Sequence, residues 1–230
     1  MRKIITGAFV SLDGVMQAPG GPQEDWEGGF KYGGWVAALG DDPVFGEEIT
    51  KMLNEPYDLL LGRRTYDIFA SHWPYAEGGP DDVVAKQFNA ITKYVVTRKG
   101  ELEFPWKGTV VLRDAAKDVA KLKQEDGPAL VTQGSSDLIQ TLLAEDLIDE
   151  IWTFTFPVVL GSGKKLFGEG ARPGHFKVAS AKVSPNGLIV AHYVRDGDVQ
   201  TADYAMDPPT PQEVARREKL NREIGPKPKA

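Results

Sequence analysis

The sequence predicts a three-layer α/β domain whose central sheet is mixed, mostly parallel, and finished by an antiparallel hairpin. Short apolar runs alternate with helix-like segments from Ile4 to Ala144, the signature of strand–helix–strand crossovers. Three more strand-like runs, Ile148 to Phe156, Phe176 to Val183 and Gly187 to Val194, then follow without an intervening helix. Ser184-Pro185-Asn186-Gly187 has the turn chemistry that joins the last two as a hairpin.

Ile4 to Val10 is apolar enough for a buried first strand, and Ser11-Leu12-Asp13-Gly14 turns it. Ten of the 25 glycines lie in the first 46 residues, and Gln17 to Gly40 sets Trp26, Phe30, Tyr32 and Trp35 among them. Such a loop either closes over a pocket or packs down as an anchored Ω-loop. Asp42 as N-cap and Pro43 in the first turn open a helix to about Asn54. Tyr57 to Leu61 is a strand ended by Gly62, and Thr65 to Ala70 a helix. Ala85 to Ala90 is a short helix before the strand Lys93 to Thr97. Thr109 to Leu112 is a strand, and Asp114 caps a helix to Gln124, broken by Gly127-Pro128. Ala129 to Thr132 is the next strand, and Gly134-Ser135-Ser136-Asp137 opens a helix to Ala144. These elements define a domain over residues 1–196. Beyond it, residues 197–230 form an extension with a possible helix from Gln212 to Ile224, either loose or docked on a partner subunit.

Composition narrows the chemistry. The 230 residues include no cysteine and three histidines, so thiolate metal sites, disulfides and a cysteine nucleophile are excluded. His72, His175 and His192 are widely spaced, which leaves no zinc motif, and no metal site is expected. A net charge of −6 disfavours nucleic acid as partner. No apolar run reaches the roughly 20 residues of a membrane span, so a cytoplasmic protein is expected.

Three strand ends carry anion-friendly chemistry. At Gly62-Arg63-Arg64-Thr65 a glycine permits close approach, the helix start offers free N–H groups, and two cations and a hydroxyl stand beside them. Thr97-Arg98-Lys99 sets a hydroxyl beside two cations, which suits a terminal phosphate such as the 2′-phosphate of a dinucleotide. Gly134, Ser135 and Ser136 repeat the strand–glycine–helix pattern. Gly161-Ser162-Gly163-Lys164-Lys165 is not a P-loop, since Val158 and Lys165 stand where glycine and a hydroxyl residue are needed.

In this order the clusters resemble the dihydrofolate reductase-like proteins, of the type of the C-terminal reductase domain of bifunctional riboflavin biosynthesis enzymes. The likeness is carried by Ser11-Leu12-Asp13-Gly14, Leu59 to Tyr66, His72-Trp73-Pro74 and Gln133-Gly134-Ser135. It continues from Leu147 to Gly163 and in Leu166-Phe167. It implies an NADPH-dependent reductase, acting on a small pteridine-like or ribosylaminopyrimidine-like substrate and assembling as a homodimer. It places cofactor phosphates at Gly62, Arg63, Arg64, Thr65, Gly134, Ser135 and Ser136, and the 2′-phosphate at Thr97 and Arg98. Where riboflavin-pathway reductases carry a substrate-contacting glutamate, this chain has Thr132.

The resemblance to folate reductases puts a carboxylate near Gly46, making Glu48 a catalytic and Glu47 a substrate-binding candidate; both also suit the polar face of an amphipathic helix. Asp13 is a candidate catalytic, substrate-orienting carboxylate or a turn-forming residue. Trp26 and Trp35 are candidate ring-stacking walls. The competing readings are a nucleotide-binding module without turnover and a true folate reductase. The latter is disfavoured because the first loop lacks a compact Leu-Pro-Trp segment.

Overall fold

The computed structural model describes residues 1–39, 42–168 and 171–226, so Gly40 and the last four residues of the C-terminal extension lie outside the described part. Its frame is an eight-stranded sheet. The strands are β1 (Ile4–Ser11), β2 (Tyr57–Gly62), β3 (Lys93–Val96), β4 (Thr109–Leu112), β5 (Ala129–Gln133), β6 (Glu150–Phe156), β7 (Phe176–Val183) and β8 (Ile189–Arg195). They lie in the order β4-β3-β2-β5-β1-β6-β8-β7. Neighbours from β4 to β6 are parallel, while β8 runs antiparallel to both β6 and β7.

Apolar runs become central strands because both sheet faces are covered. Leu59, Leu60 and Leu61 of β2 are fully buried. On one face pack α1 (Pro43–Met52), α2 (Arg63–Ala70) and α3 (Asp82–Ala90), which contribute Val44, Met52, Tyr66, Ala70 and Phe88 to a single core. On the other, α4 (Ala115–Gln124) and α5 (Ser136–Ala144) pack Val119, Leu122, Ile139 and Leu142 against Ile4, Leu60 and Leu130. This is the expected three-layer arrangement.

Local signals work as their chemistry demands. Asp42 accepts from Val44 N–H at 2.9 Å and starts α1, and Asp114 accepts from Ala116 and Lys117 at the start of α4. In the predicted hairpin turn, Ser184 Oγ accepts from Leu188 N–H at 3.1 Å and donates to Asp42 Oδ2 at 2.6 Å. One side chain thus ties the β7–β8 turn to the cap of α1.

The Gly-rich loop after β1 contains two short 3₁₀ turns, Glu27–Gly29 and Ala37–Leu39. Gln17 organises it. Its side-chain amide donates to the carbonyls of Asp25 and Glu27, and its side-chain oxygen accepts from Lys164 N–H at 3.0 Å. Its backbone carbonyl accepts from Trp35 Nε1 at 2.9 Å. The chain divides into two compact units, Met1–Asp198 and Val199–Ala230. The second holds α6 (Pro211–Ile224), N-capped by Thr210 and without a buried residue.

Candidate active site

The site is built where β2, β3 and β5 end. Gly134 follows β5 with φ of +67°, and Ser135 follows it in the left-handed region, at φ 65° and ψ 50°. A glycine carries the first of these turns without the strain a side chain would add. Ser135 does not cap its own helix. Its Oγ instead accepts from Gly62 N–H at 2.9 Å, joining the start of α5 to the start of α2. Gly62, at the N-cap of α2, has no side chain to cap with. Both helices therefore present first-turn N–H groups without a side-chain cap, whereas α1 and α4 are closed by their own aspartates. Thr65 Oγ1 lies 3.5 Å from the point a Cβ on Gly134 would occupy, which brings that hydroxyl against the same turn.

The third strand end is braced from β4. Thr97 is buried, its Oγ1 accepts from Lys99 N–H at 3.2 Å, and Arg113 donates to the carbonyls of Lys99 and Gly100. Arg98 is exposed at the rim. All three strand ends, with Gly62, Arg63, Arg64, Thr65, Thr97, Arg98, Gly134, Ser135 and Ser136, line one cleft of about 1260 Å³. The sequence clusters, separate along the chain, meet here.

Acidic residues of the Gly-rich loop hold the cations at the mouth. Glu27 accepts from both Arg64 and Lys164, and Lys164 Nζ also donates to Asp25 at 2.6 Å. Hydrogen bonds from Arg64 and then Lys164 hold the Glu27 carboxyl down at about 2. Arg63 pairs along its own helix with Asp67 at 2.5 Å. Burial raises the Glu24 carboxyl above its ordinary value, against the hydrogen bonds it accepts from Gly20 and Gly21.

Behind this charged mouth the cleft is apolar. Phe45, Ile49 and Met52 of α1 form one wall, and Phe69, Trp73 and Phe88 the opposite one. Phe69 and Phe88 stack at 5.8 Å between centroids, and Trp73 meets Phe88 edge-on at 5.0 Å. The floor is Gly7 and Phe9 of β1 with Gln133 of β5. Gly7 leaves this part of the floor to Met52: a Cβ there would stand 2.8 Å from Met52 Sδ, and the thioether end would have to swing aside.

Five sequence candidates are not brought to this cleft. Asp13 accepts from Ser11 Oγ at 2.7 Å and from the N–H groups of Leu160 and Gly161 at 3.1 and 2.8 Å. Its carboxyl is held down at about 2, first by Ser11 and then by the backbone donors. It latches the turn after β1 to the loop after β6. Glu47 is exposed and pairs with Lys182 at 2.5 Å. Glu48 is buried on the Val44–Met52 row of α1, 3.6 Å from Lys51 and 3.8 Å from Lys182. The α1 face that borders the cleft carries Phe45 and Ile49 instead. Trp26 is exposed outside the cleft, and Trp35 is buried edge-on to Phe156 at 5.7 Å, anchoring its loop.

Sequence reasoning also missed residues that do line it. The spacing Phe45, Ile49, Met52 on a helix with a fixed start was a legible signal. Trp73 stands in His72-Trp73-Pro74, a motif that carries the family resemblance but no chemistry of its own. Asp25, Lys164 and Gln17 gave no local signal, since Lys164 and Asp25 are 139 residues apart.

Fold and cleft together define a dihydrofolate reductase-like α/β protein. The chain belongs to the RibD C-terminal domain family, whose model matches residues 2–190. It is similar to the uncharacterized protein YyaP of Bacillus subtilis (strain 168), 28% identical over 85% of this chain and 96% of YyaP. Among solved structures it is similar to a pyrimidine reductase-like protein of Corynebacterium diphtheriae, with a TM-score of 0.56, 12% identity and coverage of 86% and 93% of the two chains. Dihydrofolate reductase of Enterococcus faecalis, complexed with NADP(H), shares the fold with a TM-score of 0.53 at 13% identity, over 84% of this chain and 96% of that one.

Proposed function

We propose that this protein is an NADPH-dependent reductase of a small pteridine-like or pyrimidine-like ring. The observation that carries this is the pair of uncapped helix starts, at Gly62 and Ser135, joined to each other and opening into the same cleft as the apolar chamber. Backbone N–H groups at a helix start favour an anionic group by hydrogen bonding and by the helix dipole. The fit to a dinucleotide is supported by the turn at Gly134, whose missing Cβ lets a phosphate approach the backbone, and by the Thr65 hydroxyl beside it. Thr97 and Arg98, at the far strand end, suit the 2′-phosphate.

Bound NADPH supplies a hydride. The chain's own part is to orient the cofactor through Gly62, Thr65, Ser135 and Ser136, and to hold the accepting ring between α1 and α2–α3. The loop organised by Gln17 lines the same cleft and limits water there. Arg64 is engaged by Glu27, so a phosphate recruited by Arg64 competes with that carboxylate.

Titration of tryptophan fluorescence with NADPH and with NADH tests the reading. The expected result is at least about tenfold tighter binding of NADPH, lost in Arg98→Ala. Equal affinity for the two nucleotides overturns the 2′-phosphate assignment, and no binding of either overturns the function.

A further inference from the structure

Resting on the reductase reading, we infer that the ring this cleft reduces is uncharged: a planar conjugated carbonyl or imine compound without a phosphate or carboxylate of its own. The cleft is larger than the roughly 300–1,000 Å³ of a single small-molecule site, which leaves room for a second molecule beside a dinucleotide. That second place is the chamber. Its facing walls, Phe45, Ile49 and Met52 against Phe69, Trp73 and Phe88, are hydrocarbon and aromatic throughout.

The cations of the α2 start and of the loop after β6 are held by carboxylates. Lys164 is held by Asp25 and Glu27, Arg64 by Glu27 and Arg63 by Asp67. Glu47 and Glu48, on α1 itself, are turned to Lys182. Thr132 of β5 is fully buried and outside the lining of the cleft. Glu24 of the Gly-rich loop and Arg98 and Lys99 after β3 also line the cleft but belong to neither wall, and His72, exposed, stands edge-on to Trp73 at 4.8 Å. An anion entering the chamber gives up its hydration and meets no charged partner on either wall, which disfavours it in an apolar site. A flat neutral ring gains the aromatic contacts instead. Gln133 on the floor, in register beside Gly7, offers its amide to one carbonyl or imine edge.

Reduction of such a ring consumes one hydride from NADPH and one proton from water, and yields NADP⁺ with the dihydro ring or, from a quinone, the hydroquinone. A matched pair of probes isolates the charge: 1,4-naphthoquinone and 1,4-naphthoquinone-2-sulfonate, used with the full chain, which has no cysteine to add to a quinone. Binding is read by tryptophan quenching without cofactor, and turnover by NADPH oxidation. The neutral quinone is expected to bind at least tenfold tighter than the sulfonate, and Ile49→Arg, which sets a cation in the wall, to reverse that order.

Equal or tighter binding of the sulfonate by the unaltered chain overturns the inference, as does failure to bind either ring. Because the unaltered chain decides the matter, a variant that does not fold leaves the test intact. Failure of NADPH oxidation with a quinone that does bind counts against the reductase reading alone, since the binding ratio still decides the selectivity of the chamber.

Discussion

Asp13 shows how one residue type serves two ends that a sequence cannot separate. An aspartate in a turn after a strand suits both substrate orientation and local hydrogen bonding, and its environment decides. Three donors converge on this carboxylate, one of them 148 residues away. Asp13→Asn is expected to lower the thermal midpoint and to leave the Michaelis constant for NADPH unchanged. The sign of the pH effect follows from the depressed carboxyl: its stabilisation is complete above the ordinary value of 3.8 and fades as pH falls toward about 2. Acid denaturation curves of the two proteins should therefore converge only below that range. Glu27 makes a second case at the same scale. Glu27→Gln frees Arg64 of a charged partner and should tighten NADPH binding about two- to fivefold, an effect that salt diminishes. Isothermal titration at two ionic strengths checks it, and weaker binding in the variant would mean that Glu27 assists the cofactor.

Among the elements, α3 depends on a charge that the sequence pattern placed in a strand. Lys93 of β3 is fully buried, and its ammonium donates to the carbonyls of Phe88, Asn89 and Ile91 at 3.1, 3.2 and 2.8 Å. It also lies 4.6 Å from the centre of the Trp106 ring. Those carbonyls close the end of α3, the helix that supplies Phe88 to the chamber. Lys93→Met leaves them without this donor and should cost about 2–4 kcal/mol of unfolding free energy in urea titrations. Burial pushes the Lys93 ammonium down to about 8 from 10.5. The unfolded chain then binds more protons than the folded one between these values, so this group makes stability rise with pH across that window. That rise should be present in the unaltered chain and missing in Lys93→Met. Helix α1 carries a different lesson: its start was legible at Asp42-Pro43, and with it the face on which Phe45, Ile49 and Met52 fall. Burial of Glu48 on the neighbouring row was not, because it depends on Lys182 in β7.

For the molecule as a whole, the unit Met1–Asp198 contains the sheet, both cores and the cleft, while α6 in the second unit buries none of its residues. A chain ended at Asp198 should keep its thermal midpoint within about 2 °C and its NADPH affinity unchanged. A larger fall, read by differential scanning calorimetry, would show that the extension contributes to stability. The layered sheet, its terminal hairpin and the three strand-end turns were determined by the sequence alone, because hydrophobic period, capping aspartates and glycine turns act over a few neighbouring residues. The chamber, the latch at Asp13 and the Arg64–Glu27–Lys164 network were decided only by the tertiary structure. Each depends on groups far apart in the chain and on which face of an element turns inward. A carboxylate reads the same in the sequence whether it meets a substrate, a lysine or a backbone N–H, and only the packing selects its partner.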